Sequence, residues 1–400
     1  MVSAEVVISC AREQLDATVT YLAEIGFRML KIFPADAPRI AVLDGHGVRL
    51  RLAESVGAPA TIRLTCASSE LAAFDGARAP NGSLIEVADE DEFSLPAVQQ
   101  ELVVSRMSED DWGVGRAGMR YRDLIPGRQG GRFVGSHIQI TKEGPVGDYE
   151  HYHKVRFQAL YCYRGWVKLV YEGQGEPFVM QSGDCVLQPP GIRHRVLESS
   201  AGLEVIEVAC PAEHETLRDH DLELPTAVMP PSLPLRPLSA GQLFVWHRGG
   251  GASWGSGWVR SGAIGGGWGF EHQELGISAA TNNLAQLLLV RPVVSSGSSA
   301  GWTQYHDCAD AEFHFLFVLE GALDVRLDHE LATSEPGEHE GAVGTLHAGD
   351  SVVLPGTLRR AYRVVTEATR VLEVFLPLAD DSSGAVAPAA PAAGANGARL

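Results

Sequence analysis

Three histidines have the side-chain type and the spacing of a metal site. His151 and His153 are separated by one residue in an apolar, β-prone segment, so on a strand both imidazoles leave the same face. His194 follows 41 residues after His153, directly after a Pro-Pro-Gly turn at 189–191. Neutral imidazole nitrogens from separate strands suit divalent transition metals. The sequence therefore predicts one such ion, with Fe(II) favoured and Zn, Ni or Mn as alternatives.

The fixed points around these histidines follow a recognisable spacing. Four residues separate His153 from Gln158, and six residues separate Gln158 from Gly165. A second segment runs from Gly183 through five residues to the turn at 189–191, and then to His194. Strands that start and stop at these turns must bring the two segments together.

The two segments resemble the paired motifs of the cupin superfamily. The resemblance implies a jelly-roll β-barrel in which His151, His153 and His194 bind the metal, with Gln158 as a fourth ligand or as a hydrogen-bonding partner of a bound water or substrate. Gln158 stands where the family usually has Glu, and Glu198 where it usually has Asn. An amide cancels none of the charge of the ion, so we expect a stronger Lewis acid that attracts anionic substrates.

Composition restricts the class of protein. The chain has 400 residues with 44 Gly and 22 Pro, which favours two or three mainly β domains. Its formal charge of −18 argues against binding to nucleic acid or to an anionic membrane. The six cysteines form no CxxC pair, and no leader or long apolar span is visible. We therefore expect a cytoplasmic protein that acts on a small molecule.

Residues 1–93 predict a small α+β domain of the order βαβββ, followed by a connecting arm at 94–131. The βαβββ pattern resembles a half-module of the vicinal-oxygen-chelate, or glyoxalase-like, family, whose metal ligands lie on the first and last strands. Here Ser9 and Cys10 are on the first strand and Glu54 ends the last. We expect a scaffold or dimerisation module, and hence a homodimer, because a lone unit leaves a sheet edge to cover.

The rest of the chain predicts two β-barrels related by duplication. The first spans 132–230 and carries the metal site, whereas 231–378 contains a Gly/Trp-rich loop and the second barrel. The loop either covers a barrel mouth or wraps the structure. The Pro/Ala/Gly segment 379–400 has too little apolar bulk to fold, so we expect a disordered tail.

The second barrel has lost at least one metal ligand. Aligning Gly321 with Gly165 puts His314 at the position of Gln158, and aligning Gly349 with Gly183 puts Arg360 at the position of His194. A guanidinium stays protonated and cannot bind a cation. Arg360 and His314 are therefore candidate substrate contacts, with Arg360 paired either to a substrate carboxylate or to an acidic neighbour. The positions that correspond to His151 and His153 are filled in this barrel either by Gln304 and His306 or by His306 and Cys308.

Other chemically capable residues accompany the site. Tyr161, or alternatively Tyr152, is a candidate proton carrier, and Cys162 is either near the pocket or an ordinary buried thiol. His137 is expected to be a packed or surface strand residue outside the site. His214 and His220 are expected in an exposed, charged connection.

These residues favour a non-haem Fe(II) dioxygenase that acts on a small oxygenated or carboxylated metabolite. Two alternatives remain open. One is a redox-neutral lyase or isomerase in which Zn acts only as a Lewis acid. The other is a non-catalytic bicupin that binds or stores a ligand.

Overall fold

The structure is a computed structural model. It describes residues 3–24, 27–45, 47–53, 61–66, 76, 84–89, 95–229, 241–250, 254–255, 269–293, 301–307, 309–328 and 340–378. Glu54, Cys308, most of the Gly/Trp-rich loop and the tail at 379–400 lie outside the described residues. The fold is mainly β with several sheets, which confirms the predicted fold class.

The N-terminal unit is a βαβββ element extended by two strands. Its elements are β1 (Ser3–Ser9), α1 (Leu15–Glu24), β2 (Arg28–Phe33), β3 (Ile40–Gly45), β4 (Val48–Ala53), β5 (Thr61–Cys66) and β6 (Leu84–Asp89). The sheet order is β2-β3-β4-β1-β5-β6, with β1 parallel to β4. Leu15 at the start of α1 packs on Ile32, Leu43 and Leu52 of the sheet. The likeness to glyoxalase-like half-modules stays a prediction.

The arm at 94–131 is folded into both barrels. Its elements are β7 (Val103–Ser105), β8 (Gly113–Val114), β9 (Arg120–Asp123) and the helical turn α2 (Arg128–Gly131). β8 and β9 extend a sheet of the first barrel, whereas β7 pairs with a strand of the second. The arm therefore ties the two barrels together.

The first barrel is built from two facing sheets. Its strands are β10 (Val134–Ile140), β11 (Gly144–Pro145), β12 (His151–His153), β13 (Phe157–Arg164), β14 (Trp166–Tyr171), β15 (Phe178–Gln181), β16 (Cys185–Leu187), β17 (His194–Ser199), β18 (Leu203–Cys210) and β19 (Thr216–Arg218). One sheet runs β15-β14-β17-β12-β19 and continues through β2 into the N-terminal sheet. The other contains β16-β13-β18-β10-β9-β8. The N-terminal unit thus lies beside the histidine strands.

The second barrel repeats this arrangement. Strand β20 (Val245–His247) precedes it in the chain. Its own elements are β21 (Phe270–Glu274), α3 (Ile277–Ala280), β22 (Gln286–Pro292), β23 (Ala311–Glu320), β24 (Ala322–Asp328), β25 (Glu340–His347), β26 (Ser351–Val353), β27 (Arg359–Val364) and β28 (Arg370–Pro377). Its sheets run β21-β22-β28-β23-β26-β7 and β25-β24-β27. β20 crosses over to pair with β16 of the first barrel. Gly165 and Gly321 have φ of 73° and 72° at the same hairpin of each barrel, so the repeat extends to its turns.

An apolar layer joins the barrels. Phe133 and Phe157 of the first pack with Phe313 and Phe315 of the second, and the Phe133 and Phe313 rings stack 4.1 Å apart. Each buried aromatic ring contributes roughly 1.5–3 kcal/mol relative to an exposed one. This layer holds the two barrels in a fixed relation.

Within the described part of the chain, no helix is long and apolar enough to span a membrane.

Candidate metal centre

Pairing of two strands brings the three histidines together. β12 presents His151 and His153 on one face, and β17 begins at His194, which pairs directly with His151. The three residues are buried, and one ligand atom of each lies within 4.8 Å of the others. The rings of His151 and His194 are 4.2 Å apart, and each lies about 5 Å from the ring of His153. The geometry predicted from the spacing is therefore present.

A hydrogen bond orients each imidazole. Nδ1 of His151 lies 2.7 Å from the carbonyl oxygen of Tyr149, and Nδ1 of His194 lies 3.1 Å from that of Ile192. Nδ1 of His153 lies 2.9 Å from the hydroxyl of Thr216. A carbonyl accepts only from N–H, which leaves the Nε2 lone pair of His151 and of His194 directed into the pocket. The donor set fits a divalent metal.

Burial keeps the three rings neutral. It lowers the pKa of His194 to about 4 and holds the pKa values of His151 and His153 well below the ordinary value. Neighbouring positive groups, including Arg116, depress the latter two further. Neutral imidazole is the form that binds a metal, so all three ligands are available at pH 7 without loss of a proton.

Gln158 lies beside the histidines but is partly committed elsewhere. Its Nε2 donates to Oε1 of Glu207 at 2.5 Å, while its buried Oε1 has no hydrogen-bond partner in the described ranges of the chain. That oxygen is the atom available to an ion, a water or a substrate. Burial raises the pKa of Glu207, which brings this carboxyl closer to neutral pH than an exposed one.

Arg116 of the connecting arm enters the same pocket. Its Nη2 lies 2.9 Å from Nε2 of His151, and its Nη1 lies 2.9 Å from Oδ1 of the buried Asp148, as an ion pair without hydrogen-bond alignment. Asp148 is held in turn by the backbone N–H of Val196 at 2.9 Å. A fixed positive charge therefore stands directly beside the metal ligands.

The pocket is small, and a larger cavity lies next to it. The inner space is about 100 Å³, which suits an ion and a small molecule. An outer cavity of about 670 Å³ lies between α1 and the loop around Gly115, and Arg116 lines both spaces. Asp36 of the N-terminal unit also lines the inner pocket. The N-terminal unit thus contributes to the lining of the pocket.

His214 lines the inner pocket, so the expectation of an exposed connection is wrong for this residue. It is buried, and its ring meets that of His153 edge-on at 5.2 Å. It follows the bend at Pro211, whose carbonyl oxygen lies 3.0 Å from Nδ1 of His214. His220 is exposed, as expected, with Nε2 at 2.5 Å from the carbonyl oxygen of Met29.

Alternation along β13 separates the remaining candidates. Gln158 faces the barrel interior, whereas Tyr161 packs in the apolar layer between the barrels, on the opposite face of the strand. Tyr161 is therefore wrongly placed to carry protons at this site. Tyr152 also lies outside the pocket. Its ring packs against the guanidinium of Arg193, whose Cζ is 3.7 Å from the ring centre. Cys162 faces inward but packs in the first barrel's core, and burial raises its pKa to about 12.

His137 is a packed residue, as expected. It is fully buried in β10, and its Nε2 lies 2.9 Å from Oε2 of Glu204. It does not line the pocket.

Sequence reasoning missed several residues of the pocket. Arg116 lies 35 residues before His151 in an irregular arm, and only the tertiary fold brings it to the site. Glu207 lies within the largely apolar strand β18, and this apolar surrounding was the one hint in the sequence that its side chain is buried. Tyr171 stacks on His194 with ring centres 5.4 Å apart, and its hydroxyl donates to Gln188 at 2.6 Å.

The second barrel repeats the layout with different chemistry. The backbone of His306 pairs with that of Arg360 as the backbone of His151 pairs with that of His194, so His306 occupies the position of His151. His314 binds Glu373 with Nε2 2.7 Å from Oε1, which matches the bond between Gln158 and Glu207. Arg360 is fully buried at the position of a metal ligand, as the sequence alignment predicts.

No protein-family model matches this chain, and no curated protein is significantly similar to it. Among solved structures, it is similar to oxalate decarboxylase from Bacillus subtilis, at 12% identity over 72% of this chain and 78% of that one, with a TM-score of 0.45. It is also similar to the putative glyoxylate-induced protein from Pseudomonas aeruginosa, at 12% identity over 72% and 92%, with a TM-score of 0.44. Procruciferin, an 11S globulin from Brassica napus, gives 11% identity over 70% and 85%, with a TM-score of 0.44. Likenesses at this level carry no argument about activity.

Proposed function

We propose that this chain is a metal-dependent bicupin enzyme for a small carboxylated metabolite, and that it is a non-haem Fe(II) dioxygenase. The observation that carries the proposal is the convergence of three buried, neutral imidazoles in a pocket of about 100 Å³. An Fe(II) ion bound there would offer its open face to substrate oxygen atoms and to O2. Both atoms of O2 would then enter the products.

Charge favours an anionic substrate. The three imidazoles and the amide of Gln158 add no negative charge to an ion, so its full charge is directed at whatever binds the open face. Arg116 lines the same pocket, with Nη2 2.9 Å from Nε2 of His151. Its planar guanidinium suits a carboxylate, and Asp148 anchors it from behind. Arg116 is therefore the residue that would orient the substrate.

A redox-neutral lyase or isomerase is the second candidate, and Glu207 favours it. This carboxyl lines the pocket, is bonded to Gln158, and has a pKa that burial raises. A carboxyl with a raised pKa serves as a proton carrier for a substrate activated by a Lewis-acidic ion.

Metal content and oxygen uptake distinguish these functions. Protein purified without chelators is analysed for metals, and oxygen consumption is followed with a panel of small hydroxy- and keto-carboxylates. Stoichiometric iron with substrate-dependent oxygen uptake is the expected result. Tightly held zinc without oxygen uptake supports the lyase or isomerase. Absence of any stoichiometric metal, and of binding on reconstitution, would rule out both in favour of a non-catalytic ligand-binding protein.

A further inference from the structure

The second barrel contains a buried guanidinium with two unpaired N–H groups. Arg360 has 0% of its surface exposed, and its Nη1 donates to the carbonyl oxygen of Pro355 at 3.0 Å. Its Nε and Nη2 have no hydrogen-bond partner among the residues that the structure describes. Leaving a buried donor unpaired costs about 1–3 kcal/mol, and more when it is charged. Protein interiors rarely tolerate such groups, which points to a partner that binds there.

The two unpaired groups lie on one edge of the guanidinium. The N–H bonds of Nε and Nη2 point in the same direction and are spaced to meet the two oxygens of one carboxylate. The opposite edge is held by the Pro355 carbonyl, which fixes the plane of the group. Arg360 is thus oriented for bidentate binding.

Further polar atoms without a hydrogen-bond partner belong to residues close to Arg360. Within the described part of the chain, the buried hydroxyl of Tyr362, two residues along β27, has no hydrogen-bond partner, and neither has Nε2 of His306. Backbone hydrogen bonds of 2.7 Å and 3.1 Å hold His306 directly opposite Arg360. Burial raises the pKa of Tyr362, so its hydroxyl keeps its proton and can donate. Two carboxyl groups act electrostatically on Arg360: Glu373, whose Oε1 is bonded to His314 at 2.7 Å, and the exposed Asp307.

We propose that the second barrel binds a small carboxylate anion, held by the Nε and Nη2 edge of Arg360 and by the hydroxyl of Tyr362. The site lies where the first barrel places its histidines, because Arg360 occupies the position of His194 and His306 that of His151. The guanidinium of Arg360 thus supplies the positive charge that a metal ion would supply in the first barrel, and the carboxylate binds this guanidinium directly. The proposal does not depend on the chemistry of the first barrel.

The test titrates formate, acetate and oxalate into the metal-free chain by calorimetry, in a His194→Ala/Arg116→Gln background that removes both a metal ligand and the carboxylate contact of the first site. We expect saturable binding of one carboxylate per chain, without competition from chloride. Arg360→Lys keeps the charge but loses the paired edge, and it should weaken binding at least about tenfold. Arg359→Gln removes an exposed neighbouring guanidinium and serves as the matched control, with unchanged binding.

Tyr362→Phe removes one hydroxyl without changing charge, and it should also weaken binding. This variant decides the question if Arg360→Lys fails to fold, as monitored by circular dichroism. Absence of saturable binding of all three carboxylates would overturn the proposal, as would equal affinity in the folded Arg360→Lys or Tyr362→Phe variant. Because the background lacks the first site, neither result bears on the proposed enzyme activity.

Discussion

Replacing Arg116 by Gln should tighten metal binding while weakening binding of a carboxylate substrate. In the structure Nη2 of Arg116 lies 2.9 Å from Nε2 of His151, the atom that would bind the ion. The nitrogen has one lone pair, so the guanidinium and a metal compete for it. Removing the guanidinium frees His151 and also removes a positive charge beside the incoming cation.

The structure sets the size of the effect. A hydrogen bond that involves a charged group contributes about 1.5–3 kcal/mol, so its loss should raise metal affinity about ten- to a hundredfold. Loss of the like charge acts in the same direction. The unpaired Asp148 left by the change adds a negative charge within reach of the site, which further favours the ion. Binding of a carboxylate should fall by at least about tenfold, because the bidentate partner is gone.

The measurement is a titration of metal-free protein with Fe(II) or Zn(II) against a competing chromophoric chelator. Arg120→Gln is the matched control, since Arg120 belongs to the same arm but donates to Gln139 at 2.9 Å, outside the pocket. Its metal affinity should equal that of the wild type. An Arg116→Gln variant with unchanged or weaker metal affinity would refute the competition between guanidinium and ion.

The other predictions concern the ligands, pH, the barrel interface and a thiol. His194→Ala should abolish metal retention in elemental analysis while His214→Ala retains it; full occupancy in the first variant would contradict the assignment. Burial lowers the pKa of His194 to about 4 in the folded protein, against an ordinary value of 6.5. The free energy of unfolding of the metal-free protein, measured with urea, should therefore fall by about 3 kcal/mol as the pH falls from about 6.5 to 4. A free energy that does not change with pH over this range would refute this. Glu312→Gln should lower the free energy of unfolding by about 2–4 kcal/mol in the same assay, because buried Glu312 forms ion pairs across the barrels with Arg132 and Arg156. An unchanged urea midpoint of unfolding would count against these ion pairs. Cys162 should resist thiol reagents until the protein unfolds, since its pKa is raised to about 12.

Local patterns in the sequence determined the strands and the spacing of the metal ligands. Alternation and turn residues indicated a mainly β chain, and the spacing of His151, His153 and His194 indicated that their rings converge. These features were predictable because residues two apart on a strand share a face, and because a Pro-Pro-Gly turn fixes where the next strand begins. Aligning the turns of the two barrels likewise placed Arg360 at the position of His194, because the turn determines where the following strand begins.

The tertiary structure alone decided what surrounds those rings. Arg116 and His214 reach the pocket through an arm and a bend that have no periodic pattern, and their positions depend on pairing with distant strands. The strand phase of Tyr161 was hidden by the preceding turn, and a shift of one residue moves a side chain to the opposite face. Short-range preferences determine which residues form strands, whereas contacts between residues far apart in the chain determine which side chains share a pocket.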